Sequence, residues 1–200
     1  TETINMLESR FVKNNYYYSA SDTGEHNKEG EYFIFTQEQV NNALEKNSCT
    51  EALEDALEFI TAGNFHSKVH LNFYTPQRPE GYEEFRQELL KIRKQKKYPF
   101  IDKKINTAWN AMMIEALYKA SLIDEKNALK ADVHLKALTE LMFNRGNLYH
   151  QTIIGTKPKQ KAILEDYSFF IGALIAGYEV DYDKKKLNFA KYLLSHAKDR

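Results

Sequence analysis

Glu165 and Asp166 stand side by side at the head of LEDYSFFIGALIAGY, where an acidic pair meets a long apolar run. The positive end of a helix favours the ionised carboxylate, so such acids suit a general base or a contact to hydroxyl groups better than a protonated general acid. They equally suit a helix cap, at about 0.3–1 kcal/mol for an exposed end. Adjacent carboxylates do not readily flank a scissile bond from opposite faces. Asp102 precedes a second apolar run, TAWNAMMIEALYKASLI from Thr107 to Ile123, and offers a further carboxylate across a cavity or a loop acid satisfied by Lys103 or Lys104. Trp109 and Asn110 open that second run. An aromatic face beside an amide holds a sugar ring by apolar contact and hydrogen bonds, and the alternative is burial in the core. Tyr167 either turns its hydroxyl to a cavity or buries its ring. His150 is either a general acid/base for proton transfer next to a carbonyl or an exposed strand histidine. His66 and His70 lie four residues apart on an extended segment, some ~13 Å from each other, which is too far to share an ion. The catalytic set is therefore Glu165, Asp166 and Asp102, with no metal and no cofactor called for.

These residues need a helical frame. Ile4, Leu7 and Phe11 form an apolar stripe that predicts a helix ending near Asn14-Asn15. The following stretch, YYYSASDTGEHNKEGEYFIF, predicts a hairpin with aromatic arms at Tyr16–Tyr18 and Glu31–Phe35. Thr36 and Gln39 have capping-box spacing ahead of one helix, and Ser48 and Glu51 repeat it ahead of another. Further on, helices with one apolar stripe (Phe85, Leu89, Ile92; then Ala128, Ala131, Leu135, Leu138, Met142; then Leu187, Ala190, Leu194) alternate with the two runs that are apolar nearly all round. A striped helix faces water and an all-apolar one is buried on all sides, so the alternation predicts an inner and an outer layer. The fold class expected is mainly α, a partial (α/α) toroid of helical hairpins with one or two short β-hairpins; an irregular bundle is the alternative. FVKNNYYYS, from Phe11, also lines up with FNRGNLYHQ, from Phe143, as a repeated helix stop and strand start.

With 28 basic and 28 acidic residues the formal net charge is zero, which argues against a nucleic-acid partner. The longest apolar stretch, Ser168 to Tyr178, is too short to span a bilayer, so no membrane partner is expected. Cys49 is the single cysteine, which excludes an internal disulfide and fits a reducing, cytoplasmic setting.

Several motifs carry a resemblance. YYYSASD…EGEYFIFT, the Gly63–Phe65 triplet GNF, DKKINTAWNAMMIEAL and LEDYSFFIGAL resemble, in order and spacing, motifs of the YyaL-like, spermatogenesis-associated-protein-20-like family. The resemblance implies a toroid similar to six-hairpin glycosidases and N-acylglucosamine 2-epimerases, following a thioredoxin-like domain. Residues 1–200 would then be a single-domain piece of that toroid, without the thioredoxin-like part. It also implies that Asp22, at the hairpin tip, borders the cavity as a ligand-binding residue. Where the family has Asp-Ala-Asp this chain reads Asp22-Thr23-Gly24, and where it has Asp-Asp-Lys it reads Asp102-Lys103-Lys104.

Three functions fit these expectations. The first is a carbohydrate-processing toroid, hydrolase-like or epimerase-like, acting on a carbohydrate-like small molecule through Glu165, Asp166, Asp102, Trp109, Asn110, Tyr167, Asp22 and His150. The second is a non-catalytic ligand- or partner-binding toroid linked to a thioredoxin-like domain. The third is self-association through apolar faces of an incomplete ring.

Overall fold

The alternating pattern resolves into helices joined by very short strand pairs. The structure, a computed structural model, describes residues 2–24, 30–47, 50–56, 68–69, 71 and 77–198. Its helices among these residues are α1 (Glu2–Phe11), α2 (Gln37–Glu45), α3 (Thr50–Ala56), α4 (Tyr82–Lys94), α5 (Thr107–Ala120), α6 (Lys126–Met142), α7 (Leu164–Asp181) and α8 (Lys184–Lys198). The strands are β1 (Val12–Lys13), β2 (Tyr16–Tyr17), β3 (Ala20–Ser21), β4 (Ile101–Asp102), β5 (Lys104–Asn106), β6 (Phe143–Asn144), β7 (Asn147–Leu148) and β8 (Gln151–Ile153). The chain is mainly helical and divides into two compact units, Thr1–Ala20 with Ile101–Arg200, and Ser21–Phe100. No described helix is long and apolar enough to cross a membrane. Cys49, the GNF triplet, His66 and His70 lie outside the described residues, as does Ser48.

In the unit Ser21–Phe100, the Thr36 capping box forms in both directions. Gln39 N–H donates to Thr36 Oγ1 (3.2 Å) and Thr36 N–H to Gln39 Oε1 (3.0 Å), which fixes the start of α2. Phe85 and Leu89 of α4 are buried with Val40, Ala43 and Leu44 of α2, Leu53 of α3, Phe35 and Val69, and Ile92 is packed against this core.

In the other unit, α5 and α7 pack against each other along their lengths, α6 follows α5, and α8 returns along α7. The close approach of α5 and α7 leaves little room at two glycines. A Cβ on Gly172 would come within 2.9 Å of Glu115 Oε2, and one on Gly177 within 2.8 Å of Tyr118 Cζ. Ile114 and Leu117 of α5 and Phe170 of α7 are completely buried, each worth about 1.5–3 kcal/mol. A salt-bridged group ties the far end together. Lys186 Nζ of α8 donates to Asp132 Oδ1 and Asp181 Oδ2, both at 2.6 Å, and Tyr118 O–H donates to Asp132 Oδ1 at 2.6 Å. Burial works against the charge on Lys186, but the two carboxylates outweigh it and raise the ammonium pKa.

Three expectations need correcting. First, the inner helices are not buried all round. Trp109 and Met112 leave one flank of α5 about half exposed, and Leu164 and Ile175 do the same on α7. Second, the buried stripe of α8 runs through Ala190 and Leu193, because Leu194 turns to solvent at 47 % exposure. Third, the aromatic arms do not make one long hairpin. Val12 pairs with Tyr17 and Lys13 with Tyr16 around Asn14-Asn15, while Phe35 pairs with Val69. Asn14 and Asn15 both take positive φ, 52° and 65°, as a two-residue primed turn requires, so the chain first reverses at the helix exit.

The internal repeat is real, with its register moved by one residue. After α6, Phe143 pairs with Leu148 and Asn144 with Asn147 around Arg145-Gly146, again with both φ positive, at 49° and 77°. Each hairpin is closed the same way. Tyr18 N–H donates to Phe11 C=O (2.8 Å) and Tyr149 N–H to Met142 C=O (2.9 Å). Asn14-Asn15 therefore matches Arg145-Gly146, and Phe11 matches Met142 rather than Phe143.

Candidate functional site

The second hairpin carries the chain into the heads of α5 and α7. Strand β8 runs antiparallel to β5, with Lys104 opposite Ile153, Ile105 opposite Thr152 and Asn106 opposite Gln151. The pairing extends one residue further, where Thr107 N–H donates to His150 C=O (2.9 Å). Asn106 then caps α5 by accepting from Trp109 N–H at 3.0 Å. On the other edge, His150 N–H donates to Gln160 C=O (2.9 Å) and Ala162 N–H to Leu148 C=O (2.9 Å), so residues 160–162 return beside His150 and feed α7. His150 is held by backbone bonds on both sides.

Asp166 meets it there. The Asp166 carboxylate is fully buried and accepts three hydrogen bonds: from Ala108 N–H to Oδ1 (3.2 Å), from Ile163 N–H to Oδ2 (2.9 Å), and from His150 Nδ1 to Oδ2 (2.8 Å). Two of these come from the orphan amide groups of helix starts, which the negative charge also stabilises. The third decides the imidazole tautomer. A carboxylate accepts only, so Nδ1 is the donor, and in the neutral ring the lone pair falls on Nε2. The His150 side chain is 18 % exposed, so the ring lies at the rim of the protein interior.

The remaining sequence-predicted residues separate into three groups. Trp109 is 48 % exposed in the first turn of α5, and the residue before it, Ala108, donates to Asp166. Glu165 is exposed beside Asp166. Asn110 and Tyr167 are core. Asn110, 2 % exposed, accepts from Tyr17 N–H (2.8 Å) and donates to the carbonyls of Tyr17 and Asn106 (both 2.9 Å), leaving nothing to offer a sugar. Tyr167 is 2 % exposed. Asp102 is held by Lys104, whose Nζ donates to Oδ2 (2.8 Å) and whose N–H donates to Oδ1 (3.1 Å). The Lys104 hydrogen bonds keep the Asp102 carboxyl below its ordinary range, which unsuits it to be a protonated acid. Asp22 lies in the unit Ser21–Phe100, exposed, with Oδ1 accepting from Thr23 N–H at 2.8 Å.

No protein-family model matches the chain, and no curated protein does. Among the described residues, no three histidine, cysteine or acidic side chains cluster as a metal site. The candidate site thus consists of one imidazole and its buried carboxylate partner, with an exposed indole in the first turn of α5 and an exposed glutamate in the first turn of α7. Sequence spacing does not reveal the central pair. Sixteen residues separate His150 from Asp166, and neither helical nor strand periodicity relates such positions. The signal present in sequence was only the acid at the third position of an apolar helix.

Proposed function

We propose that the chain is part of a YyaL-like toroid that binds a sugar-like substrate, with His150 as the general acid/base next to a carbonyl carbon. The observation that carries this reading is the His150 Nδ1–Asp166 Oδ2 contact of 2.8 Å at the joined heads of α5 and α7. Asp166 is the positioning residue: it holds Nδ1–H and leaves Nε2 to take and return a proton. Trp109, half exposed in the first turn of α5, supplies the flat apolar face on which a sugar ring rests. Of the two carbohydrate chemistries, the epimerase-like one has the better support. A glycosidase needs two carboxyl groups on either side of a glycosidic bond. Here Asp166 is buried under three donors and Asp102 is paired with Lys104.

The test is proton exchange. Incubated in deuterated water with N-acetylglucosamine and with glucose, the wild-type chain should place deuterium on the carbon next to the carbonyl. His150→Gln should lose that exchange by about 100-fold or more, as removal of a general acid/base does. Trp109→Ala should weaken sugar binding more than it slows the bound reaction. If the wild-type chain binds sugar through Trp109 but exchanges no proton, the non-catalytic ligand-binding reading replaces this one.

A further inference from the structure

One side of α4 borders a cavity in the unit Ser21–Phe100. Phe85, Leu89 and Arg93 recur every four residues and so share one side of the helix. With Phe33, Phe35 and Leu71 they line a cavity of ≈ 390 Å³. Its floor is core: Phe35, Phe85 and Leu89 are buried together, and Leu71 is packed against them. Phe35 is fixed by exchanging both backbone hydrogen bonds with Val69, at 3.0 and 2.7 Å. Phe33 is 41 % exposed.

Three arginines border this apolar floor, and two of them are engaged. Arg86 Nη1 donates to Glu83 Oε1 (2.8 Å), and Arg78 lies over the Tyr82 ring, 5.3 Å from its centroid. Arg93 differs. Its guanidinium carbon lies 5.5 Å from the centroid of the Phe35 ring, but its buried Nε has no acceptor. Among the described residues no carboxylate pairs its charge. Lys96 adds charge at the same ring, with Nζ 5.0 Å from the Phe35 centroid. That ammonium is held in place by donating to the carbonyls of Glu31 (3.1 Å) and Ile34. Burial first, and then the charges of Lys68 and Arg93, lower the Lys96 pKa from its ordinary value, although Glu31 works the other way. Positive charge thus gathers beside the apolar floor without a matching acid. The macrodipole favours a cation at the end of α4, but it gives Arg93 Nε no acceptor.

Size decides the kind of occupant. One turn of helix, about 10 Å across and 5.4 Å long, displaces about 420 Å³, more than the whole cavity. A small molecule fits instead, since such sites span about 300–1,000 Å³. Charge decides its head. A guanidinium fork matches a planar carboxylate at two points, and one arginine balances one negative charge. Leu89 and Phe85 precede Arg93 by roughly 6 and 12 Å along the helix axis, so an apolar tail finds floor beyond the head.

We propose that this cavity binds an amphipathic monocarboxylate, with its carboxylate on Arg93 and its hydrocarbon tail over Phe85, Leu89 and Phe33. The assignment is independent of the sugar reading, because no residue of the His150 site lines the cavity. The ligand is held, and no bond to it is made or broken.

The experiment titrates the chain with decanoate below its micelle concentration, following backbone amide shifts, beside acetate and decyltrimethylammonium. Decanoate should move the amides of Leu89 and Arg93 and bind about tenfold more tightly than either control. Arg93→Gln should weaken decanoate about tenfold, and Arg93→Lys, which keeps the charge but loses the fork, by less. A circular dichroism spectrum checks that these variants fold. Phe33→Ser, at an exposed position, should weaken decanoate through its tail and keeps the test usable if the Arg93 variants unfold. Decyltrimethylammonium binding as tightly as decanoate would leave an apolar surface with no anion site and overturn the assignment. So would a decanoate affinity unchanged by Arg93→Gln or by Phe33→Ser, or shifts confined to residues outside the cavity.

Discussion

The two helix-exit hairpins are built alike and finish differently. In both, a helix ends, two residues of positive φ turn the chain, and the residue after the second strand bonds back to the helix end. The first hairpin then delivers the backbone of Tyr17 to Asn110, a neutral amide that is satisfied on every side. The second delivers the side chain of His150 to Asp166. Asn110 is the fourth residue of α5 and Asp166 the third of α7, so comparable places in the two helices hold a lock in one case and a histidine–carboxylate pair in the other. One supersecondary device thus delivers a backbone amide in one case and a side chain in the other.

The comparison can be broken at its strongest point first. Asn110→Ala strands the N–H and C=O of Tyr17 inside the protein, and each lost partner costs about 1–3 kcal/mol, so a destabilisation of about 3 kcal/mol is expected in urea unfolding. A loss below about 1 kcal/mol would mean that the first hairpin is not locked through this amide. Asp166→Asn should cost less, about 2 kcal/mol, because one acceptor oxygen survives while the new NH₂ group meets a donor. Its decisive readout is the imidazole nitrogen shifts of His150, which should report loss of the Nδ1–H tautomer. Unchanged shifts would show that Asp166 does not orient the ring.

Gly146→Ala tests whether the second turn positions the dyad. The φ of +77° is strained for alanine, and its Cβ would come 3.1 Å from the Tyr192 hydroxyl, so about 1 kcal/mol of stability should be lost. The His150 shifts should broaden with it; a loss of stability with sharp, unmoved shifts would separate the turn from the site. The smallest effect concerns pH. His134, on α6, bonds through Nδ1 to Asn15 C=O (2.9 Å) and lies against Tyr17, so the first hairpin has a histidine of its own. Burial lowers its pKa from the ordinary 6.5. The unfolded chain then binds the proton more readily than the folded one. This contribution to stability is complete above pH 6.5 and lost as the pH falls from there towards the depressed folded value. His134→Asn, which keeps a donor for Asn15, should flatten that part of the stability profile relative to wild type.

Much of the frame was legible because it is local. The Thr36 box, the stripes of α1, α4 and α6, and the repeated helix stop all follow from residues within a few positions of one another. The register of the repeat was missed by one because matching Phe11 to Phe143 aligns side chains, while the structure aligns turns. The open flanks of α5 and α7 were missed for a related reason. Composition says that a helix is apolar all round, but not whether a neighbour covers each side. Among the proposed site residues, Trp109 and His150 lie at the helix heads, whereas Asn110 and Tyr167 are core.

By itself, the sequence determined where helices start and stop, which faces are apolar, and that an acid heads each apolar run or closely precedes it. Those properties rest on dihedral preference and on periodicity, which act over a few residues. Only the tertiary structure decided that Asp166 turns inward to His150, that Asn110 spends its amide on Tyr17, and that Lys186 joins Asp132 to Asp181. Each of these depends on which buried polar group finds a partner across tens of residues. That is set by how the elements pack, as where α5 and α7 meet with little room at Gly172 and Gly177.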